Sequence, residues 1–180
     1  MDKKEKQISS QEVFKGHIVD VFLDKVTLPN GMEDTREVVR HCKGAAILAF
    51  DIDGKILLEN QYRYAYDEVI TEIPAGKCEG DEDPLDAATR ELEEETGYHA
   101  TNIEPLGVIY PSVGYCDEKL YLYLATGLIQ TQRHLDSDED IDCFKVSLNK
   151  MIDLVKDGTI KDAKTIAALN AYLLRFKKIK

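Results

Sequence analysis

Residues 71–98 read TEIPAGKCEGDEDPLDAATRELEEETGY, and they place Glu91, Glu94 and Glu95 three and four residues apart, on one face of an amphipathic helix. Glu93 belongs to the same run but projects from another side. The C-terminal end of a helix carries partial negative charge, so each carboxylate there is disfavoured by about 0.3–1 kcal/mol. Like charges at these spacings add about 0.2–0.5 kcal/mol per pair. A solvated acidic face explains many charge runs. This run, however, sits at the unfavourable helix end, after a glycine-containing loop that carries Glu79 and Glu82. Carboxylates held this close make a hard-cation site. Mg2+ accepts a few of them and takes its remaining ligands from water and phosphate oxygens. A bound cation would remove the repulsion that makes the bare helix end unfavourable.

The full spacing is Gly76, five residues, Glu82, seven residues, Arg90-Glu91-Leu92, one residue, Glu94-Glu95, one residue, Gly97. It resembles the Nudix box, G-x5-E-x7-R-E-U-x-E-E-x-G-U with U bulky and apolar, at every fixed position. Tyr98 is the one departure, where the pattern prefers an aliphatic residue. The resemblance implies an enzyme that hydrolyses a nucleoside diphosphate linked to another group. The implied fold is α+β, an α/β/α Nudix sandwich with a mixed sheet, preceded by a small antiparallel N-terminal sheet. Gly76, Glu82, Arg90 and Gly97 would be structural, with Arg90 fixing a glutamate of the helix in a bidentate pair. Mg2+, or Mn2+, would be held by Glu91, Glu94, Glu95 and the backbone carbonyl of Ala75. Glu94 would be a ligand or a partner of the attacking water.

Outside the box, QYRY, EIPAGK, YPSVGYCDEKLYLYLA with Pro111, the acidic DEDI and the tail DGTIKDAKTIAAL look like ADP-ribose pyrophosphatases. That resemblance implies hydrolysis of ADP-ribose to AMP and ribose 5-phosphate. Glu139 matches the position of the subfamily's catalytic base. Arg36, Glu37, Arg63, Lys77, Gly114 and Glu118 are its candidates for substrate contacts. In relatives the N-terminal strands swap across a homodimer and complete the partner's site. RHCKG stands here where relatives often show His-Pro-Gly. A calcium loop built on Asp136, Asp138 and Asp140 fails, because Ile141 stands where glycine is needed and Ser147 where a bidentate glutamate is needed. Two other functions stay open: a pyrophosphatase for another diphosphate such as a UDP-sugar, and a non-catalytic ligand sensor. A sensor would normally have lost box glutamates, and all are intact.

These residues need elements to carry them. Residues 1–8 read as a frayed end. Residues 10–42 alternate apolar and polar positions as two or three antiparallel strands, with a turn at Asn30-Gly31. GAAILAFDIDGKILLENQYRY reads as a hairpin turning at Asp53-Gly54, and EVITEIPAG as one further strand. A helix spans 84–96, with Asp83 as N-cap, Pro84 at the first position and Gly97 just past the end. Leu85, Ala88 and Leu92 form its core face. Two strands flank a Pro-Ser-Val-Gly loop, CFKVSL is a strand, and helices near 148–157 and 161–177 close the chain. The domains expected are an N-terminal strand region, 1–42, for dimerisation and substrate contacts, and a Nudix hydrolase domain, 43–180.

The chain has 180 residues, is 43% hydrophobic and carries a formal net charge of −11. A field of that sign repels nucleic acid and anionic membranes, so neither is expected as a partner. The expected partner is a small nucleoside diphosphate derivative. The scattered cysteines form no CxxC and suit reduced thiols in the cytoplasm. MDKKEKQISS lacks the apolar core of a signal peptide, and no apolar run reaches the ~20 residues of a membrane span.

Overall fold

The computed structural model describes residues 2–135 and 139–176. Asp136 and Asp138 of the acidic loop, and Lys177 at the expected end of the last helix, lie outside the described residues. The chain divides into two units, one running to Cys42 and taking in Tyr110–Lys119, the other comprising Lys43–Ile109 and Leu120–Lys180.

The first unit is an antiparallel meander of β1 (Lys6–Lys15), β2 (Val19–Thr27) and β3 (Glu33–His41). The frayed end is shorter than expected, because Lys6 and Gln7 already pair with Thr27 and Val26. Gly31 turns the β2–β3 hairpin at φ +87°, a conformation that favours glycine. The Leu28 amide closes that turn onto the Met32 carbonyl at 2.8 Å. Residues 110–119 are tied to β3: Val39 donates to Tyr115 O at 2.7 Å and accepts from Asp117 N at 3.1 Å. Asp117 also receives the His41 amide and the Arg40 guanidinium, each at 2.9 Å.

The second unit holds β4 (Gly44–Ala49), β5 (Lys55–Arg63), β6 (Glu68–Glu72), β7 (Ala75–Lys77), α1 (Pro84–Thr96), β8 (Tyr98–Ile109), β9 (Leu120–Gln130), β10 (Ile141–Ser147), α2 (Leu148–Lys156) and α3 (Ala163–Phe176). Its sheets run β7-β4-β9-β8 and β10-β5-β6. Among the described strands of this unit only β4 and β9 pair in parallel, which makes the first of these sheets mixed. The turn at Asp53-Gly54 forms, but the hairpin around it does not. β4 spends its two edges on β7 and β9, and only the Phe50–Ile56 bridge links it to β5. EVITEIPAG breaks into β6 and β7 at Pro74, which has no N–H to give a ladder.

Strand alternation builds two cores. Ala46 and Leu48 of β4, with Leu120, Leu122 and Leu124 of β9, pack against Met151 of α2 and Ala168 and Leu169 of α3. The intervening Ala45, Ile47 and Ala49, with Tyr123 and Ala125, pack against Ala87, Ala88 and Leu92 of α1. Leu57 of β5 joins the α1 side, whereas Ile56 and Leu58 join the other. Leu85 does not face the core as expected. It lies in the first turn of α1, ahead of the packed stretch, and is 39% exposed.

Candidate active site

The first turn of α1 is fixed by Asp83, whose side chain accepts the Leu85 amide at 2.8 Å. Its end is fixed by Gly97 at φ +71°, with the Gly97 amide on Glu93 O. Between them the acidic face lies against β7. A β-carbon on Gly76 would fall 1.7 Å from Oε1 and 2.0 Å from Cδ of Glu91, so only glycine lets the strand approach. Next to it the Ala75 amide donates to Oε2 of Glu95 at 3.1 Å. The N–H of Ala75, the residue whose carbonyl is the expected metal ligand, thus positions the Glu95 carboxylate.

Arg90 braces this face differently from the expectation. Its bidentate partner is Glu82 of the preceding loop, not a glutamate of the helix: Nε and Nη2 each reach a Glu82 oxygen at 3.1 Å. Glu82 precedes the helix, so the guanidinium fork clamps loop to helix. Nη1 is shared between Glu91 and Glu94 at 2.9 Å each, and Nη2 also reaches Lys77 O at 3.1 Å. The Arg90 hydrogen bonds and the Glu79 amide hold the Glu82 carboxyl below its usual range. Glu93 points elsewhere, to Nδ1 of His99 at 3.3 Å.

Deeper in, Glu95 is almost fully buried. Burial, then the charges of Glu59, Glu91 and Glu139, push its carboxyl up to about 10. Glu91 is raised by burial against the pull of Arg90, and Glu139 adds to that rise. Glu139 therefore lies within electrostatic reach of both box glutamates. Two further buried carboxylates join this cluster, Glu59 and Glu72, and the sequence reading missed both. Burial and the Glu72 charge push Glu59 up to about 8. Glu72 takes a bidentate pair from Arg63, at 2.7 and 2.9 Å, and a second cation from Lys164. For Glu59 the available signal was a glutamate directly after the apolar Ile56-Leu57-Leu58 run in KILLENQ, on the side of the strand that Leu57 occupies.

The acidic helix end also has cationic help that the sequence reading missed. Arg133 donates Nε to the Glu95 carbonyl and Nη2 to Ile141 O at 2.5 Å. The Cys143 thiol donates to the same Glu95 carbonyl at 3.1 Å, and the His134 amide to Glu94 O at 3.0 Å. Orphan carbonyls of the last turn are thus satisfied, with a cation where the helix dipole favours one.

A family model for the NUDIX domain matches residues 40–169. The chain belongs to the Nudix family. A second model, the nucleoside diphosphate sugar hydrolase N-terminal domain, matches residues 5–39. An "ADP-ribose pyrophosphatase" of Bacillus subtilis (strain 168) is 38% identical over 98% of this chain and 94% of its own length. A "Methanol dehydrogenase activator" of Bacillus methanolicus is 40% identical over 92% of this chain and 91% of its own. A crystal structure of an ADP compounds hydrolase superposes with a TM-score of 0.86 at 21% identity, covering 97% of each chain, and so shares the fold.

Among the described residues of this Nudix chain, no three Asp, Glu, His or Cys side chains form a ready-made coordination set. Arg90 instead lies between Glu91 and Glu94. The donors nevertheless fit a hard divalent cation. They are carboxylate oxygens, Glu59 and Glu95 are buried, and neither Glu59 oxygen has a hydrogen-bond partner among the described residues. The remaining substrate candidates are placed as follows. Arg63 is committed to Glu72, and Lys77 ends β7 exposed. In the first unit Arg36 is engaged by Glu5, at 2.9 and 2.7 Å, and by Asp34 at 2.7 Å. Glu37 and Gly114 are exposed, and Glu118 lies 3.8 Å from Nδ1 of His41.

Proposed function

We propose that this Nudix protein is a metal-dependent pyrophosphohydrolase that cleaves the diphosphate of ADP-ribose to AMP and ribose 5-phosphate. The observation that carries the reading is the box geometry: Ala75 and Gly76 laid against Glu95 and Glu91, with Arg90 clamping Glu82. The name of the Bacillus subtilis relative, similar over nearly the whole chain, supports ADP-ribose as substrate. Glu91, Glu94, Glu95 and the Ala75 carbonyl would hold Mg2+, or Mn2+ in its place. When bound, such a cation neutralises the pyrophosphate, orients it and lowers the pKa of its water. Glu139 takes the proton of the attacking water, and Glu94 is the second candidate for that task. Arg90 holds Glu91 and Glu94 in place rather than touching substrate. Arg36, Glu37, Arg63, Lys77, Gly114 and Glu118 remain the proposed substrate contacts, with Arg63 held ready by Glu72.

Residues 43–180 would carry catalysis, while residues 1–42 would supply dimerisation and further substrate contacts. The protein would act as a cytoplasmic homodimer, with no nucleic-acid or membrane partner. No described helix is long and apolar enough to cross a membrane. A second reading, another nucleoside diphosphate sugar such as a UDP-sugar, is favoured by the match of residues 5–39 to a sugar hydrolase N-terminal domain. A substrate panel separates the two. AMP release from ADP-ribose with Mg2+ should exceed turnover of UDP-glucose, diadenosine polyphosphates and NADH, and excess EDTA should abolish it. Full turnover in EDTA would sink the metal-dependent reading, and preference for UDP-glucose would select the second substrate.

A further inference from the structure

Glu59 is fully buried on β5, and neither of its carboxylate oxygens has a hydrogen-bond partner among the described residues. The strand around it is a core strand: Ile56, Leu57 and Leu58 precede it, all buried. By alternation Glu59 shares the face of Leu57, the face that packs against α1. Its direct neighbours across the sheet are Glu72 on β6 and Cys143 on β10. Directly opposed residues hold their β-carbons about 4.5–5.5 Å apart. Cys143 in turn bonds the Glu95 carbonyl at 3.1 Å. The sheet therefore delivers Glu59 beside the last turn of the box helix. Taking a carboxylate out of water costs several kcal/mol unless a counter-charge and hydrogen bonds offset it. The cations at hand, Arg63 and Lys164, already bond Glu72. Among the described residues, the Ala75 amide is the hydrogen bond shown to the Glu95 carboxylate, and Glu59 receives none. A position that needed only to fill the core would carry another Leu or Val.

We infer that Glu59 is a further ligand-supplying carboxylate, which together with Glu95 forms a divalent-cation position on the sheet side of the box helix. Hard carboxylate oxygens are the donor type that Mg2+ and Mn2+ take. The inference rests on the cation-binding part of the proposed function, and its test separates the two.

The experiment is Mn2+ binding to the full chain without substrate, followed by calorimetry and by the electron paramagnetic resonance of free Mn2+. Glu59→Gln should weaken Mn2+ binding at least about tenfold, or remove one ion from the stoichiometry. Glu95→Gln should do the same, and Glu93→Gln should bind as the wild type. If Glu95→Gln weakens binding and Glu59→Gln does not, the role of Glu59 is overturned while the box site stands. If neither weakens binding, the cation-site reading itself fails, and the Glu59 role with it. Glu59→Leu covers the case in which Gln unfolds the strand. An apolar side chain suits a buried strand and removes a buried carboxyl group that has no hydrogen-bond partner among the described residues, so the metal-free melting temperature should rise. The Mn2+-induced rise in melting temperature should shrink, and an unchanged rise would again overturn the assignment.

Discussion

The contact between Gly76 and Glu91 leaves no room for a methyl group, since its carbon would lie 1.7 Å from Oε1 and 2.7 Å from Cγ. Gly76→Ala must push the glutamate away, and Arg90 holds that glutamate from the other side. Overpacking of this kind costs about 1–3 kcal/mol. We expect a lower melting temperature and turnover reduced by more than the loss of folded protein explains, measured as kcat per folded molecule. The carboxylates separate by role. Glu95→Gln keeps size but removes charge from the buried cluster, so turnover should fall by orders of magnitude and apparent metal affinity should weaken. Glu139→Gln should lower kcat by about 10²–10⁴-fold, the usual worth of a general base, with metal affinity kept. Glu93, turned toward His99, is the control: Glu93→Gln should be nearly silent, and damage as large as that of Glu95→Gln would refute assignment by helix face.

At the scale of elements, α1 buries Glu95 near Glu59 of β5, and burial keeps protons on both when no metal is present. Glu59 and Glu95 are raised to about 8 and about 10 in the folded chain, from an ordinary glutamate value of 4.5. Above pH 4.5 the folded state therefore binds more protons than the unfolded state, and stability must fall as pH rises. The metal-free protein in EDTA should melt highest near about pH 5 and progressively lower toward about pH 8. Mg2+ binds only the folded form and needs the ionised carboxylates, so its stabilisation should grow over the same range. A melting temperature that climbs from pH 5 to 8 in EDTA would contradict the placement of these groups. The boundaries of α1 were legible because Asp83, Pro84 and Gly97 act on their own neighbours. The box face was legible for the same reason, since helical spacing alone brings Glu91, Glu94 and Glu95 together. The pairing of β4 was not, because the same apolar run suits a hairpin or a central strand, and distant β7 and β9 decide. Glu59 was hidden likewise: its meaning depends on Glu72, Cys143 and α1, none of which is near it in sequence. Arg133 gave no sign either, as a lone arginine in a polar loop.

At the scale of the whole molecule, β1 is the feature that asks for a partner. All of its residues are exposed, and it forms one edge of the β1-β2-β3 sheet. Ile8 and Val13 sit at the two places where its register with β2 slips, and both are about half exposed. Bulges interrupt a ladder and discourage simple extension of the sheet by another edge. A partner would therefore be held there through apolar side chains rather than through continuous backbone pairing. The symmetric solution is a second copy of the chain, with the same patch used twice. We expect twice the chain mass by light scattering at micromolar concentration. Ile8→Asp combined with Val13→Asp places charges on that patch and should shift the protein to monomer. Catalytic residues of the second unit are untouched by these changes. If residues 1–42 of one protomer complete the site of its partner, KM should rise with little change in kcat. A wild-type monomer would refute the dimer, and a monomeric variant with wild-type KM would confine the N-terminal strands to assembly alone.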